Sequence, residues 1–198
     1  MPTYGAIAYT PSVRATQRRM GSPVALSTED ADEDFALSSA EAEFIATRDG
    51  FFQATTSETG WPYVQYRGGP PGFVQVLSPV SIGYANLRGN RQYVSAGNLS
   101  HDDRVALFFI DYATQRRFKA YGHARFIDDG PVLAMLARTA DRGRVEQGVI
   151  IDLVAGAWNC PQHITPRWTS DVIATAVEPL RTRIAELEAE LASLKSAT

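Results

Sequence analysis

A chain of 198 residues with 44% hydrophobic side chains can bury one ordinary core and is too apolar for disorder. Its 22 Asp and Glu against 19 Lys and Arg, a net charge of −3, exclude the basic excess of a general nucleic-acid binder. The single cysteine, Cys160, excludes an internal disulfide framework and suits a reducing compartment.

Residues 1–49 read as an arm with short helices. The first stretch, "MPTYGAIAYTPSVRATQRRM", lacks the apolar core of a signal peptide, and no run approaches the roughly 20 apolar residues of a membrane span. The cytoplasm is the expected address, with no membrane partner. "TPSVRATQRRMGS" predicts one turn-capped helix and "SSAEAEFIATRDG" another, with Ser38 and Glu41 at capping-box spacing and Gly50 as the stop.

From residue 50 to 155 the grammar is that of strands. "FFQATTS", "PYVQYR", "FVQVL", "SIGYANL", "RVALFFIDY", "RRFKAYGHARFID" and "GVIIDLVA" are rich in β-branched and aromatic residues and are separated by "ETGWP", "GGPPG" and "SP". Helical pieces are expected near Arg91–Leu99 and Val132–Arg142. Short strands with hairpin-length links predict a closed or split antiparallel β-barrel, mainly β with some α, since a parallel sheet would need a helix between most strand pairs. In "RVALFFIDY" both faces are apolar, which suits barrel core on one side and a second subunit on the other.

Residues 156–198 form a tail. "GAWNCPQHITPRW" holds too much proline and polar chemistry for regular structure. In "EPLRTRIAELEAELASLK", Leu180, Ile184, Leu187, Leu191 and Leu194 step by four and three, a coiled-coil seam with Pro179 near the helix start. That helix docks either on its own barrel or on a second subunit.

Charge is distributed unevenly. From Thr59 to His101 there is no Asp or Glu, yet Arg67, Arg88 and Arg91 lie there. A second acid-free stretch, between Tyr112 and Ile127, carries Arg116, Arg117, Lys119 and Arg125, with Arg117 and Lys119 on one strand face and Arg116 on the other. A solvated surface normally mixes signs, whereas a phosphomonoester would be repelled by nearby carboxylates and gripped by planar guanidinium groups. The turn in "ANLRGNRQ", where a strand gives way to a helix, adds backbone N–H groups to such an anion site. No phosphate-binding loop, dinucleotide fingerprint or nucleophile elbow is present, and His101, His123 and His163 lack metal-ligand spacing. Cys160 reads as a small buried hydrophobe.

The run "GWPYVQYRGGPPGFVQVL", followed by "SIGYANLRGNRQYVSAGNLSHDDRVALFFIDY" and "RRFKAYGHARFID", resembles the pyridoxamine 5′-phosphate oxidase-related flavin-nucleotide-binding proteins. The similarity covers about Phe44 to Ile127, and its most specific part is "RGGPPGF" with "GNRQYVSAGNL". It implies a split β-barrel homodimer with FMN at the subunit interface. Asn90, Arg91 and Gln92 match the family's turn around the FMN phosphate, with Arg88 or Arg67 assisting. Tyr84, Ala85 and Asn86 match the strand before that turn, and Gln65, Tyr66 and Arg67 an earlier flavin-side strand, where Gln65 and Arg67 compete for one role. Arg117 falls where the oxidases have a glutamine near the ring, with Lys119 on the same face.

Two departures stand out. Gly-Gly-Pro-Pro replaces the stretch that brings a lysine in the true oxidases. The C-terminal Arg-x-His substrate clamp is absent, and "QHITPR" supplies Gln162, His163 and Arg167 in another order, expected with Trp158 over the flavin. The resemblance therefore implies an FMN-dependent oxidoreductase with an unnamed small-molecule substrate or electron donor. A flavin-storage protein, or a barrel holding a deazaflavin or haem, is the alternative. No catalytic residue is assigned; His163 is the candidate because imidazole titrates near neutrality.

Overall fold

The computed structural model describes residues 3–23, 34–140 and 143–196. The arm opens with α1 (Tyr4–Ala8), which has no counterpart in the expectations above, and α2 (Pro11–Arg19). Each begins on a threonine whose hydroxyl accepts a first-turn N–H, Thr3 from Ala6 and Thr10 from Val13. In α3 (Ser39–Ala46) the capping box closes: the Ser38 N–H donates to the Glu41 carboxylate at 2.8 Å and the Ser38 hydroxyl accepts from the Glu41 N–H at 3.4 Å. This helix buries Phe44 and Ile45 in the barrel core. It ends before Gly50, which opens the first strand instead of stopping the helix; there the missing Cβ lets the Tyr66 ring lie across the backbone.

The strands are β1 (Gly50–Thr56), β2 (Pro62–Gly68), β3 (Val74–Ser78), β4 (Ser81–Leu87), β5 (Arg104–Asp111), β6 (Arg116–Ile127) and β7 (Val145–Asn159). All pair antiparallel in one sheet of order β2-β1-β5-β6-β7-β4-β3. The sheet curls around a core that includes Phe51, Tyr84, Phe109, Phe118 and Ile151, giving the split antiparallel barrel expected. Period-two alternation holds in β5, with Val105, Leu107 and Phe109 buried and Ala106, Phe108 and Ile110 half-buried.

β7 runs on through Gly156–Asn159, a segment expected to be irregular. Its backbone pairs with Arg117–Ala120 of the long β6, so available ladder partners outweigh a composition poor in strand formers. The pairing shifts register between Tyr121 and Gly122, and Gly122 is required there: a Cβ would lie 2.7 Å from the Asp152 carbonyl oxygen. Cys160, just past β7, is exposed rather than buried.

Two helices interrupt the strands, α4 (Val94–His101) and α5 (Gly130–Ala137). α4 starts three residues later than expected because Arg91 and Tyr93 take left-handed backbone (φ 65° and 51°), which no helix continues. The expected second helix reached residues 141–142, which lie outside the described residues.

The chain divides into two units, Met1–Asp111 with Arg116–Pro161, and Tyr112–Gln115 with Gln162–Thr198. In the second, the Gln115 side chain donates to the Ile164 carbonyl at 2.6 Å and the Arg167 guanidinium lies 4.8 Å over the Tyr112 ring. Its helix α6 (Ser170–Ser196) begins nine residues before Pro179, so that proline is internal and not at the start. Among the described residues no helix is long and apolar enough to cross a membrane.

Candidate functional site

β2 and β4 flank a cleft of ≈ 200 Å³, closed at one end by the turn Gly89–Tyr93 and the start of α4. Gln65 and Arg67 reach it from β2 and Asn86 from β4, because alternation turns these residues to the same side as the buried Tyr84. The Arg67 guanidinium spans the cleft floor: Nη1 donates to Asn86 Oδ1 at 3.3 Å, and the group sits 5.6 Å over the Tyr84 ring. Its Nε–H is buried with no partner, a donor that costs free energy until something accepts from it.

The turn is built to present donors. Asn90 Oδ1 accepts from the Gln92 N–H at 3.1 Å, an Asx turn that fixes the loop, while Arg91 and Tyr93 hold left-handed backbone. α4 then begins without any side-chain cap on its first N–H groups. Those groups, aligned with the helix dipole beside Arg91 and Gln92, favour an anion. Ser95, in the first turn, donates from Oγ to Gln65 Oε1 at 2.7 Å and ties the helix start to β2.

Beneath the cleft runs a buried polar chain. Tyr84 Oη–H donates to Gln53 Oε1 at 2.6 Å, and Gln53 Nε2 has no partner. Burial pushes the Tyr84 hydroxyl up to about 12, with the Arg67 charge pulling the other way. A phenol raised above its ordinary value of about 10 contributes stability in full below that value and loses it as pH rises through about 12. Tyr84→Phe is therefore expected to flatten the alkaline fall in stability over that window in urea titrations. At neutral pH the same change strips Gln53 of its bond, a cost of about 1–3 kcal/mol.

Glu146 of β7 also lines the cleft, a carboxylate from outside the acid-free stretches. It accepts from Tyr93 Oη at 3.2 Å and lies 3.5 Å from Arg88 Nε. Arg88 thus faces Glu146 and neutralises it. Tyr63, Ser95, Gln53 and Glu146 were missed from sequence. Glu146 in particular sits where the β4–β7 pairing slips between Asn86 and Leu87, a register no periodicity reveals.

The other expected residues lie elsewhere. Tyr66 is exposed on the far face of β2, edge-on to Phe52, and Ala85 lines a second, apolar hollow of ≈ 290 Å³ with Phe73 and Leu87. Arg117 Nε donates to the Cys160 carbonyl at 2.9 Å, and the Lys119 ammonium lies 4.7 Å over the Tyr4 ring; neither lines the cleft. Trp158 packs edge-on against Phe44 and Phe118 under the Arg116 guanidinium. Gln162, His163 and Arg167 are exposed in the second unit, His163 with φ 66°. No three His, Cys, Asp or Glu side chains gather as a metal site among the described residues.

The fold and its cleft define a split-barrel protein with a donor-rich groove between β2 and β4. The chain belongs to the pyridoxamine 5′-phosphate oxidase family, whose profile matches residues 37–153, more than half of its length. Among solved structures it is similar to HupZ of Group A Streptococcus, with 12% identity and a TM-score of 0.51 over 67% of this chain and 100% of that one. It is also similar to a pyridoxamine 5′-phosphate oxidase candidate from Lactobacillus delbrueckii, with 16% identity and a TM-score of 0.50 over 64% and 97%. At such identities the likeness is one of fold. No curated protein matches the chain.

Proposed function

We propose that the cleft binds FMN by its phosphate and that the protein is an FMN-dependent oxidoreductase acting on a small molecule. The observation that carries the reading is the buried, partnerless Nε–H of Arg67, set in a groove whose other end offers Arg91 and the uncapped start of α4. FMN would satisfy these donors, with its dianionic phosphate at the α4 end and its remaining acceptors along the groove. Arg91, Gln92 and the α4 N–H groups would hold the phosphate, while Arg67, Asn86 and Gln65 would orient the part of the ligand lying along the groove. Arg88 keeps Glu146 from repelling it. When bound, the flavin supplies hydride or single-electron transfer, and the protein positions it and tunes its surroundings.

A cleft of ≈ 200 Å³ is below the roughly 300–1,000 Å³ of a complete cofactor pocket, so the reading includes a second wall from a homodimer partner. The exposed Val64 and Tyr66 of β2 and the half-buried Phe108 of β5 offer an apolar outer face for such a partner. Arg117 and Lys119 would approach the flavin from that second copy.

Reconstitution tests the reading. Protein mixed with FMN and desalted is expected to keep about one flavin per chain, seen as a blue-region absorbance band, and to sediment as a dimer. Failure to retain FMN, or equal affinity for riboflavin, overturns the phosphate site; a monomer carrying stoichiometric FMN overturns the second wall. Turnover with a nicotinamide donor and an electron acceptor then separates an oxidoreductase from a storage protein.

A further inference from the structure

The apolar seam of α6 is longer than its sequence suggested. On a helix that begins at Ser170, Ile173 and Val177 continue the spacing of Leu180, Ile184, Leu187, Leu191 and Leu194 without a break. Val177, Ile184 and Leu191 occupy a positions of a heptad, and Ile173, Leu180, Leu187 and Leu194 occupy d. The helix has no buried residue, and Leu180, Ile184, Leu187 and Leu191 are 41–63% exposed. Three heptads of apolar stripe, about 33 Å at 1.5 Å per residue, face outward.

We propose that α6 pairs with α6 of a second copy of this chain as a parallel, in-register two-stranded coiled coil. The positions that flank the seam select the partner. Arg181, Glu188 and Lys195 fall at e, and Arg183 and Glu190 at g. In a parallel pair each g residue meets the e residue of the next heptad across the interface, which sets Arg183 against Glu188 and Glu190 against Lys195. Both contacts join unlike charges, and two-fold symmetry makes each twice. Arg183 also pairs with Glu186 of its own helix at 2.9 Å, at position c, so the contact across the seam forms in exchange for that exposed intrahelical pair. An antiparallel pair would also oppose unlike charges, Arg183 to Glu190 and Arg181 to Glu188, so orientation rests on the core. β-branched Val177 and Ile184 at two of the three a positions, with leucine at three of the four d positions, favour two strands over three or four. A parallel in-register pair sets all seven seam residues against their own copies, whereas an antiparallel pair, which matches a with d, leaves one of the four d residues beyond the seam.

Pro179 supports the same conclusion. It falls at c, outside the seam, and removes one backbone bond from a helix that buries no residue fully and leaves Leu180, Ile184, Leu187 and Leu191 of its apolar stripe exposed. Helical stability in water comes mainly from burying such a stripe, and a second copy buries it. The pairing does not depend on the flavin reading.

The test uses the full chain with Cys160→Ser and Leu194→Cys. Under mild oxidation at micromolar concentration, a parallel in-register pair brings the two engineered thiols together, and the product migrates at twice the chain mass. Adding Arg183→Glu sets like charges across the interface and is expected to slow cross-linking about tenfold, while Glu188→Arg on top of it restores the rate. Adding Ile184→Glu to the starting variant abolishes it. Cross-linking no faster than in the Ile184→Glu control overturns the proposal, as does a mixture in which Val177→Cys chains link to Leu194→Cys chains, the signature of antiparallel pairing. Position 194 is exposed near the helix end, so the engineered cysteine leaves folding intact, and circular dichroism verifies it.

Discussion

Arg91→Ala is expected to weaken FMN binding about 10- to 150-fold, the equivalent of about 1.5–3 kcal/mol for one charge-assisted bond to a phosphate. Riboflavin affinity, which lacks that bond, should scarcely change, so the FMN-to-riboflavin ratio is the measurement. Arg67→Ala acts differently. It removes a guanidinium that bonds Asn86 and covers Tyr84, and it also removes the buried Nε–H that makes the empty groove unfavourable. Its affinity loss should extend to riboflavin in part. Arg88→Ala gives the sharpest contrast. It is expected to lower FMN affinity although Arg88 does not line the cleft, because the Glu146 carboxylate would lose its counter-charge. Glu146→Gln added to Arg88→Ala should recover most of the loss. Fluorescence titration of the four variants and wild type decides the matter; equal constants for Arg91→Ala and wild type would remove the turn from the site.

Phe51→Ala is expected to cost about 3–5 kcal/mol in urea denaturation, a large share of the roughly 5–15 kcal/mol that holds an ordinary domain together. Phe51 is wholly buried and its ring meets Phe109 at 4.9 Å, Tyr84 at 5.4 Å and Phe73 at 6.0 Å. Three strands and the loop before β3 therefore lose contact at once. The damage should reach the cleft, since Tyr84 rests on Phe51 and the Arg67 guanidinium lies over Tyr84. A midpoint unchanged from wild type would mean that the aromatic cluster is not the centre of the core.

What could be read from the amino acids alone follows from the range of the interactions. Strands from Phe51 to Ala155 and the capping box at Ser38 are local patterns, and both are present in the fold. The arginines of the acid-free stretch were legible for the same reason, because their sign and density need no tertiary information. Pairing between distant strands was not. Glu146 enters the cleft only through the β4–β7 register, and Gln53 meets Tyr84 across the barrel interior. Composition misled where context overrode it: Gly156–Asn159 became strand against β6, Cys160 ended up exposed, and α6 continued through Pro179.

The left-handed backbone at Arg91 has a bearing on how this protein would respond to selection. A residue with a Cβ pays about 1 kcal/mol there that glycine would not. Glycine at position 91 would thus make the apoprotein more heat-resistant while deleting the guanidinium. A thermal screen run without cofactor would enrich that change and discard the ligand site in the process, whereas the same screen run with saturating FMN would retain the arginine through the free energy of the bound state. Comparing the survivors of the two screens at this one position reports whether the turn is kept for folding or for binding.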